Sequence, residues 1–148
     1  MPEMDEAVLK KVLPHSIEAE QSVIGSMLMD KEAITIASEQ ISGEDFYGKQ
    51  YGILFDAMVE LNDEAKPVDL VTLQERLKEK GAPPEIYSLE YIKDVMATLP
   101  TSVNIKSYVQ IVAEKAVLRK LIRVNEEIAN ICYAQKESLE SILETSEK

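Results

Sequence analysis

Few side chains in this sequence have the types and spacing that chemistry requires. His15 is the sole histidine and Cys132 the sole cysteine, and neither can be paired with a nucleophile or a general base from the sequence. Zinc needs three or four ligands from Cys, His or carboxylate side chains, so one of each gives no convincing set. No G-x-x-x-x-G-K-[ST] motif is present to cradle nucleotide phosphates. The sequence therefore predicts no catalytic residue, no metal site and no cofactor site.

Carboxylates are abundant, and two pairs of them could be placed in a metal site: Glu18 with Glu20, and Asp56 with Glu60. Di-iron carboxylate bundles, however, use Glu-x-x-His pairs, which a chain with one histidine cannot supply twice. We therefore interpret these carboxylates as the solvated faces of helices.

A basic cluster is the one charged feature that suggests binding. Lys115, Arg119 and Arg123 are spaced one helical turn apart, and Lys120 lies beside them. The cluster could contact nucleic acid or an acidic partner, or it could pair with this chain's own acidic surplus or a neighbouring subunit. Because the chain carries a net charge of −11, we expect no strong direct binding to DNA.

Length and composition indicate one helical domain in a reducing compartment. The chain has 148 residues, of which 45% are hydrophobic and only 5% aromatic. A single cysteine excludes an internal disulfide. No apolar run reaches the roughly 18 residues of a membrane span, and the first residues lack the apolar segment of a signal peptide. We expect a cytoplasmic protein that does not enter a membrane.

Helical spacing predicts an all-α fold with a globular subdomain over residues 15–100. Residues 1–14 are predicted to be a flexible lead, and five short helices follow it. Four side chains are predicted to cap helix N-termini: Ser16, Asp30, Asp69 and Ser88. Gly81 is predicted to end the fourth helix, and residues 82–85, which contain two prolines, are predicted not to be helical.

Residues 101–148 are predicted to form a protruding antiparallel helical hairpin. Residues 104–134 contain neither Pro nor Gly, and as one helix they would be about 46 Å long. That length exceeds what a compact domain of this size needs, so we expect the helix to pack against other chains. A second helical pattern begins at Ser138 and reaches the end of the sequence without a cap, so we expect it to be truncated.

Several segments, taken in order, resemble one known family. These segments are residues 16–25 (SIEAEQSVIG), 44–47 (EDFY), 67–73 (PVDLVTL), 108–112 (YVQIV) and 115–122 (KAVLRKLI). Each segment alone is weak evidence for a family, but the order and separations of the whole set are specific to one family. The chain resembles, over about residues 12–148, the N-terminal domain of bacterial replicative DNA helicases of the DnaB type.

The resemblance implies a helical globule followed by a helical hairpin. It further implies a ring of six such domains, arranged as three dimers above a ring of RecA-like ATPase domains that this sequence lacks. ATP and magnesium would belong to that absent motor domain. In this family the N-terminal collar receives the C-terminal domain of a DnaG-type primase, and it helps to modulate the helicase.

The sequence and the resemblance together predict that this chain is a docking and assembly module and not an enzyme. The alternative is a stand-alone helical adaptor or regulatory protein without a motor domain. We expect Tyr87, Tyr91, Arg119 and Arg123 to take part in partner docking. The residues expected to pack the hairpins of an oligomer are Ile105, Val109, Val112, Leu121, Ile128, Leu139 and Ile142.

Overall fold

The computed structural model describes residues 12–97 and 104–147. The described residues are helical and contain no strand, which confirms the all-α prediction. Contacts divide the chain into two units, residues 15–116 and a second unit that comprises residues 12–14 and 117–147 of the described chain. The helices are α1 (Ile17–Met29), α2 (Lys31–Ser38), α3 (Lys49–Asp63), α4 (Leu70–Glu79), α5 (Pro84–Tyr87), α6 (Leu89–Ala97), α7 (Ile105–Ala134) and α8 (Leu139–Glu147), with a 3-10 turn at Gly43–Asp45.

The helix boundaries follow from local capping chemistry. The Ser16 hydroxyl accepts from the Ala19 amide at 3.2 Å, and the Asp30 carboxylate accepts from the Glu32 amide at 2.9 Å. Asp69 accepts from the Thr72 amide at 2.9 Å and forms a capping box with it. Ser88 accepts from the Tyr91 amide at 3.1 Å. All four predicted N-caps are confirmed.

One boundary prediction was wrong. Residues 84–87 form the short helix α5, although the two prolines led us to expect no helix there. Pro84 occupies the first helical position, where its missing N–H is not needed for an intrahelical bond and its fixed φ suits the helix. Gly81 precedes this turn with a φ of +72° and ends α4 as predicted. The predicted boundary at Pro100 lies outside the described residues.

The first unit is organised around α1, which is buried on several sides. Helix α1 packs against α2, α3 and α6, while α4 packs against α3, α5 and α6. The largest side chains of the core include Ile24, Met27, Ile34, Leu54, Phe55, Met58, Leu73, Leu77, Ile92 and Val109. In the part of the chain that the structure describes, no helix has the length and apolar content to cross a membrane.

A buried carboxylate holds the segment that leads into α3. Glu20 is only 1% exposed, and its two oxygens accept from the amides of Tyr47 and Gly48, both at 2.9 Å. The ring of His15 stacks on Tyr47 with the ring centroids 3.9 Å apart. The interpretation of Glu20 as a solvated carboxylate was therefore wrong, because the side chain is buried and accepts hydrogen bonds from two backbone amides.

A second carboxylate fixes the 3-10 turn against α3. Asp56 accepts from the Gly43 amide at 3.0 Å. A Cβ atom on Gly52 would lie 2.4 Å from the Gly43 carbonyl oxygen, so the two backbones approach more closely than a side chain allows. Asp56 therefore has a structural role that spacing alone did not indicate.

We predict that Glu20→Ala lowers the free energy of unfolding by about 3 kcal/mol, because two buried amides lose a charged acceptor. Glu20→Gln keeps one acceptor oxygen and should lose about half as much. Urea denaturation measures both effects. Glu18→Ala is the matched control, since Glu18 is an exposed carboxylate in the same first turn. Equal losses for Glu18→Ala and Glu20→Ala would contradict this role.

An ion-pair network closes the loop between α3 and α4. Glu64 contacts Arg76 at 2.6 Å and Lys66 at 3.1 Å. Hydrogen bonds from Arg76 first, and then from Lys66, lower the pKa of Glu64 from 4.5 to about 2. The Glu64 side chain is 42% exposed, so solvent and salt weaken the stabilisation.

We predict that the stability difference between the natural chain and Glu64→Gln depends on pH. A carboxylate with a lowered folded pKa stabilises the fold above its unfolded pKa, near 4.5, and loses this contribution as pH falls towards about 2. The difference should therefore be largest above pH 4.5, and it should shrink in acid and in high salt. Thermal unfolding across that pH range provides the measurement. A stability difference that grows as the pH falls would contradict the predicted direction of the pH dependence.

Candidate protein-interaction surface

The part of α7 that begins at Val117 and belongs to the second unit exposes an apolar stripe that no described residue covers fully. Val117 is 54% exposed, Leu121 is 53% exposed and Val124 is 43% exposed. Their spacing of four and three residues places them on one side of the helix, in line with the half-buried Ile128. We name Val117, Leu121, Val124 and Ile128 the α7 stripe. An aligned exposed set of this kind indicates an interaction surface.

Helix α8 adds further exposed apolar side chains to the second unit. Leu139 is 73% exposed and Leu143 is 54% exposed, while Ile142 is half-buried. The Ser138 hydroxyl accepts from the Ser141 amide at 3.1 Å, and α8 begins where the second helical pattern was predicted to start. Both helices of this unit therefore present apolar side chains to solvent.

The residues predicted for hairpin packing fall into two groups. Val109 and Val112 are 0% and 2% exposed in the core of the first unit, and Ile105 packs against that core. Their own chain already covers these side chains, which corrects the expectation that they pack one hairpin on another. The predicted residues that keep exposed or half-buried side chains in the second unit are Leu121, Ile128, Leu139 and Ile142.

Two members of the α7 stripe were absent from the predicted set. Val117 lies four residues before Leu121, and Val124 lies between Leu121 and Ile128. Helical spacing from Leu121 could have found them. The prediction favoured the first turns of the long helix, whose side chains proved to be core.

Charge is distributed unevenly along the second unit. Its first turns carry the exposed cations Lys120 and Arg123, with Lys115 just before them in the first unit. The exposed carboxylates follow later, at Glu126, Glu127, Glu137, Glu140, Glu144 and Glu147. Cations therefore come first along this part of the chain, and carboxylates predominate after Arg123.

Arg119 departs from the predicted docking cluster. It is 4% exposed, and its Nη1 donates to the Pro14 carbonyl oxygen at 2.8 Å. The chain's own N-terminal residues therefore engage it, which corrects the expectation that Arg119 docks a partner. Arg123 is exposed and lines a cavity of about 450 Å³ together with Glu126, Glu127, Asn130, Ile131, Ala134, Lys136 and Glu137.

The two tyrosines predicted for docking differ in their surroundings. Tyr91 packs against the core of the first unit, its hydroxyl is buried, and burial raises its pKa to about 12. Tyr87 is also half-buried, and the Lys78 ammonium lies 5.7 Å from its ring centroid. Both tyrosines therefore pack against the core, and they differ in that the Tyr91 hydroxyl is buried.

Potential metal ligands are dispersed in the part of the chain that the structure describes. Among residues 12–97 and 104–147, no three His, Cys, Asp or Glu side chains gather as a metal site requires. Cys132 is exposed and forms no disulfide. What the described residues present is an apolar stripe flanked by charges, which suits the binding of another protein.

Comparison with known families agrees with the resemblance found in the sequence. Residues 12–114 match the family described as the DnaB-like helicase N-terminal domain. The chain belongs to this family. It is 36% identical over 145 residues to the replicative DNA helicase DnaC of Bacillus subtilis, and 36% identical over 145 residues to the replicative DNA helicase DnaB of Geobacillus stearothermophilus.

Solved structures of DnaB-like N-terminal domains share the fold. The N-terminal domain of DnaB helicase from Mycobacterium tuberculosis is 34% identical, with a TM-score of 0.84 over 90% of this chain and 96% of that domain. The N-terminal domain from Helicobacter pylori, whose structure was described with its interactions with primase, is 21% identical with a TM-score of 0.70, over 88% of this chain and 99% of that one.

The match to DnaB-like helicases is confined to one part of the relatives. The alignments cover 98% of this chain but 32% of the length of the Bacillus and Geobacillus proteins. This chain therefore corresponds to the N-terminal domain of replicative helicases and not to their motor domain.

Proposed function

We propose that this domain is the collar of a replicative DNA helicase, which joins helicase subunits and receives a DnaG-type primase during DNA replication. The observation that carries the proposal is the exposed α7 stripe of a DnaB-like N-terminal domain. No bond is made or broken here. ATP and magnesium would act in the motor domain of a full-length cytoplasmic helicase, and the collar contributes protein contacts.

A second copy of this chain is the partner that best fits the α7 stripe. In a two-fold pair the same surface meets itself in the opposite direction. Lys120 and Glu127 both lie beside the α7 stripe, so Lys120 of one copy would then face Glu127 of the other. Opposite charges beside an apolar contact favour such a pair. Three pairs would complete the hexameric ring that the resemblance implies.

The primase is the second proposed partner. The Helicobacter pylori domain was described with its interactions with primase, and the family resemblance implies the same partner here. Among the predicted docking residues, Arg123 is exposed and Tyr87 is half-buried with the Lys78 ammonium near its ring. An exposed cation and a partly exposed aromatic ring are suited to anchor a primase surface that carries acidic side chains.

We predict that Leu121→Asp weakens self-association at least tenfold, because an aspartate would be placed within an apolar contact. Light scattering over a concentration series gives the association constant. Val71→Asp is the matched control, since Val71 is 65% exposed but lies on α4 of the first unit. A strictly monomeric natural chain, or equal effects of the two substitutions, would contradict the proposed surface.

We predict that the C-terminal domain of a DnaG-type primase binds this domain, and that Arg123→Glu weakens the complex about tenfold at low salt. Isothermal titration calorimetry measures the affinity. Lys93→Glu makes the same charge change at an exposed position on α6 and serves as the control. Absence of binding to the natural chain would contradict primase docking without affecting self-association. An equal loss of affinity with Lys93→Glu would show that Arg123 has no specific role in primase binding.

A further inference from the structure

The spacing of the α7 stripe is that of the contact side of a coiled-coil helix. Its four apolar residues follow one another at intervals of four, three and four residues, which is the alternation of a and d positions in a heptad repeat. Leu121 and Ile128 take a positions, and Val117 and Val124 take d positions. Ile131, which is half-buried, takes the next d position. Two α7 helices can therefore pack along this line, with the apolar side chains of one inserted between those of the other.

The residues that flank the α7 stripe differ in charge between its two sides. On one side the g positions are Lys120 and Glu127, and both are exposed. On the other side the e positions are Leu118, Asn125 and Cys132, which include no Lys, Arg, Asp or Glu. Side chains at e and g positions lie beside the contact between two helices and set partner choice and orientation. Lys120 and Glu127 are therefore the charges that can decide how two copies are oriented.

The two orientations of a helix pair bring different flanking residues together. In a parallel pair, g positions of one helix meet e positions of the other, so Lys120 would face Asn125 and Glu127 would face Cys132. In an antiparallel pair, g positions meet g positions, so Lys120 of one copy faces Glu127 of the other. The two-fold axis then repeats this contact. Charges of opposite sign are thus matched in the antiparallel pair and not in the parallel one.

The same two charges distinguish between antiparallel registers. Full pairing of the α7 stripe places Val117 opposite Ile128 of the other copy, and Lys120 is then about 3 Å from Glu127 along the helix axis. A shift by one heptad in one direction would place Lys120 opposite Lys120, and a shift in the other direction would place Glu127 opposite Glu127. Both shifts bring like charges together, which disfavours them.

We propose that Lys120 and Glu127 hold two copies of this domain in one antiparallel register, with the two-fold axis halfway between Leu121 and Val124. This inference rests on the proposed role of the α7 stripe in joining two copies. Each apolar side chain of the stripe then faces an apolar side chain of the other copy, and two contacts between Lys120 and Glu127 flank them. The apolar side chains stabilise the pair, and the two charges specify its geometry.

Exchanging the two charges tests the register. The natural chain, Lys120→Glu, Glu127→Lys and the double variant with both substitutions are compared by sedimentation equilibrium in low salt. Each single substitution places two pairs of like charges beside the α7 stripe, and we expect it to weaken self-association about tenfold. The double variant restores opposite charges, so its association constant should return to within about threefold of the natural value.

Two further variants control for the change in net charge. Lys93→Glu makes the same change of charge as Lys120→Glu, at an exposed position on α6. Glu126→Lys makes the same change of charge as Glu127→Lys, at an exposed position about 170° around α7 from the middle of the stripe. Both controls should change the association constant by less than about threefold.

Cysteine cross-linking tests the same register without a change of charge. In a Cys132→Ser background, we compare Val117→Cys, Ile128→Cys and the variant that carries both substitutions. In the proposed register, residue 117 of one copy faces residue 128 of the other. Two copies of residue 117, or two copies of residue 128, are about 16 Å apart along the helix axes, which is too far for a disulfide. The variant with both cysteines should therefore form a covalent dimer about tenfold faster than either single variant.

Two results would overturn the register. One is a double charge variant that associates no more strongly than the single variants. The other is rapid cross-linking of Val117→Cys alone, which a parallel pair would produce. If either result occurs while Leu121→Asp gives monomers, the proposed joining surface stands and the register alone is rejected. If Leu121→Asp associates as strongly as the natural chain, the α7 stripe is not the joining surface, and the proposed function and the register fail together.

Discussion

The first unit depends on the two hydrogen bonds that stabilise one buried carboxylate. Glu20 lies in the first turn of the most enclosed helix, and it binds the amides of Tyr47 and Gly48 with both oxygens. This interaction fixes where α3 begins relative to α1, and α3 supplies Leu54, Phe55 and Met58 to the core. A carboxylate in this position specifies one arrangement of the loop, because any other leaves a buried charge or two buried amides unpaired.

The division of α7 between two environments follows from its sequence. Up to Ala116, its inward positions carry small or β-branched side chains that enter the core of the first unit. Beyond that point the inward line reaches Arg119, and the apolar residues move to the opposite side. One uninterrupted helix thus enters the core with its first part and presents exposed apolar side chains with its second, and Arg119 lies near the boundary.

The sequence was most informative where the determining contacts are local. Ser16, Asp30, Asp69 and Ser88 cap helices three residues or fewer ahead, so their roles could be predicted from spacing. Glu20 and Arg119 could not, because their partners lie 27 to 105 residues away. The same limit applies to Val109 and Val112, since helical periodicity identifies an apolar side but not which element covers it.

The 30-residue continuity of α7 has a consequence for how stability is distributed. Its first turns share the cooperative unfolding of the core, whereas its last turns have mostly exposed side chains and depend on helix propensity in an isolated molecule. Opening of backbone hydrogen bonds should therefore become easier from Val112 towards Ala134. A partner that covers the second part would remove this gradient. Binding there would stabilise the backbone hydrogen bonds in the last turns of a helix whose first turns are already packed in the core.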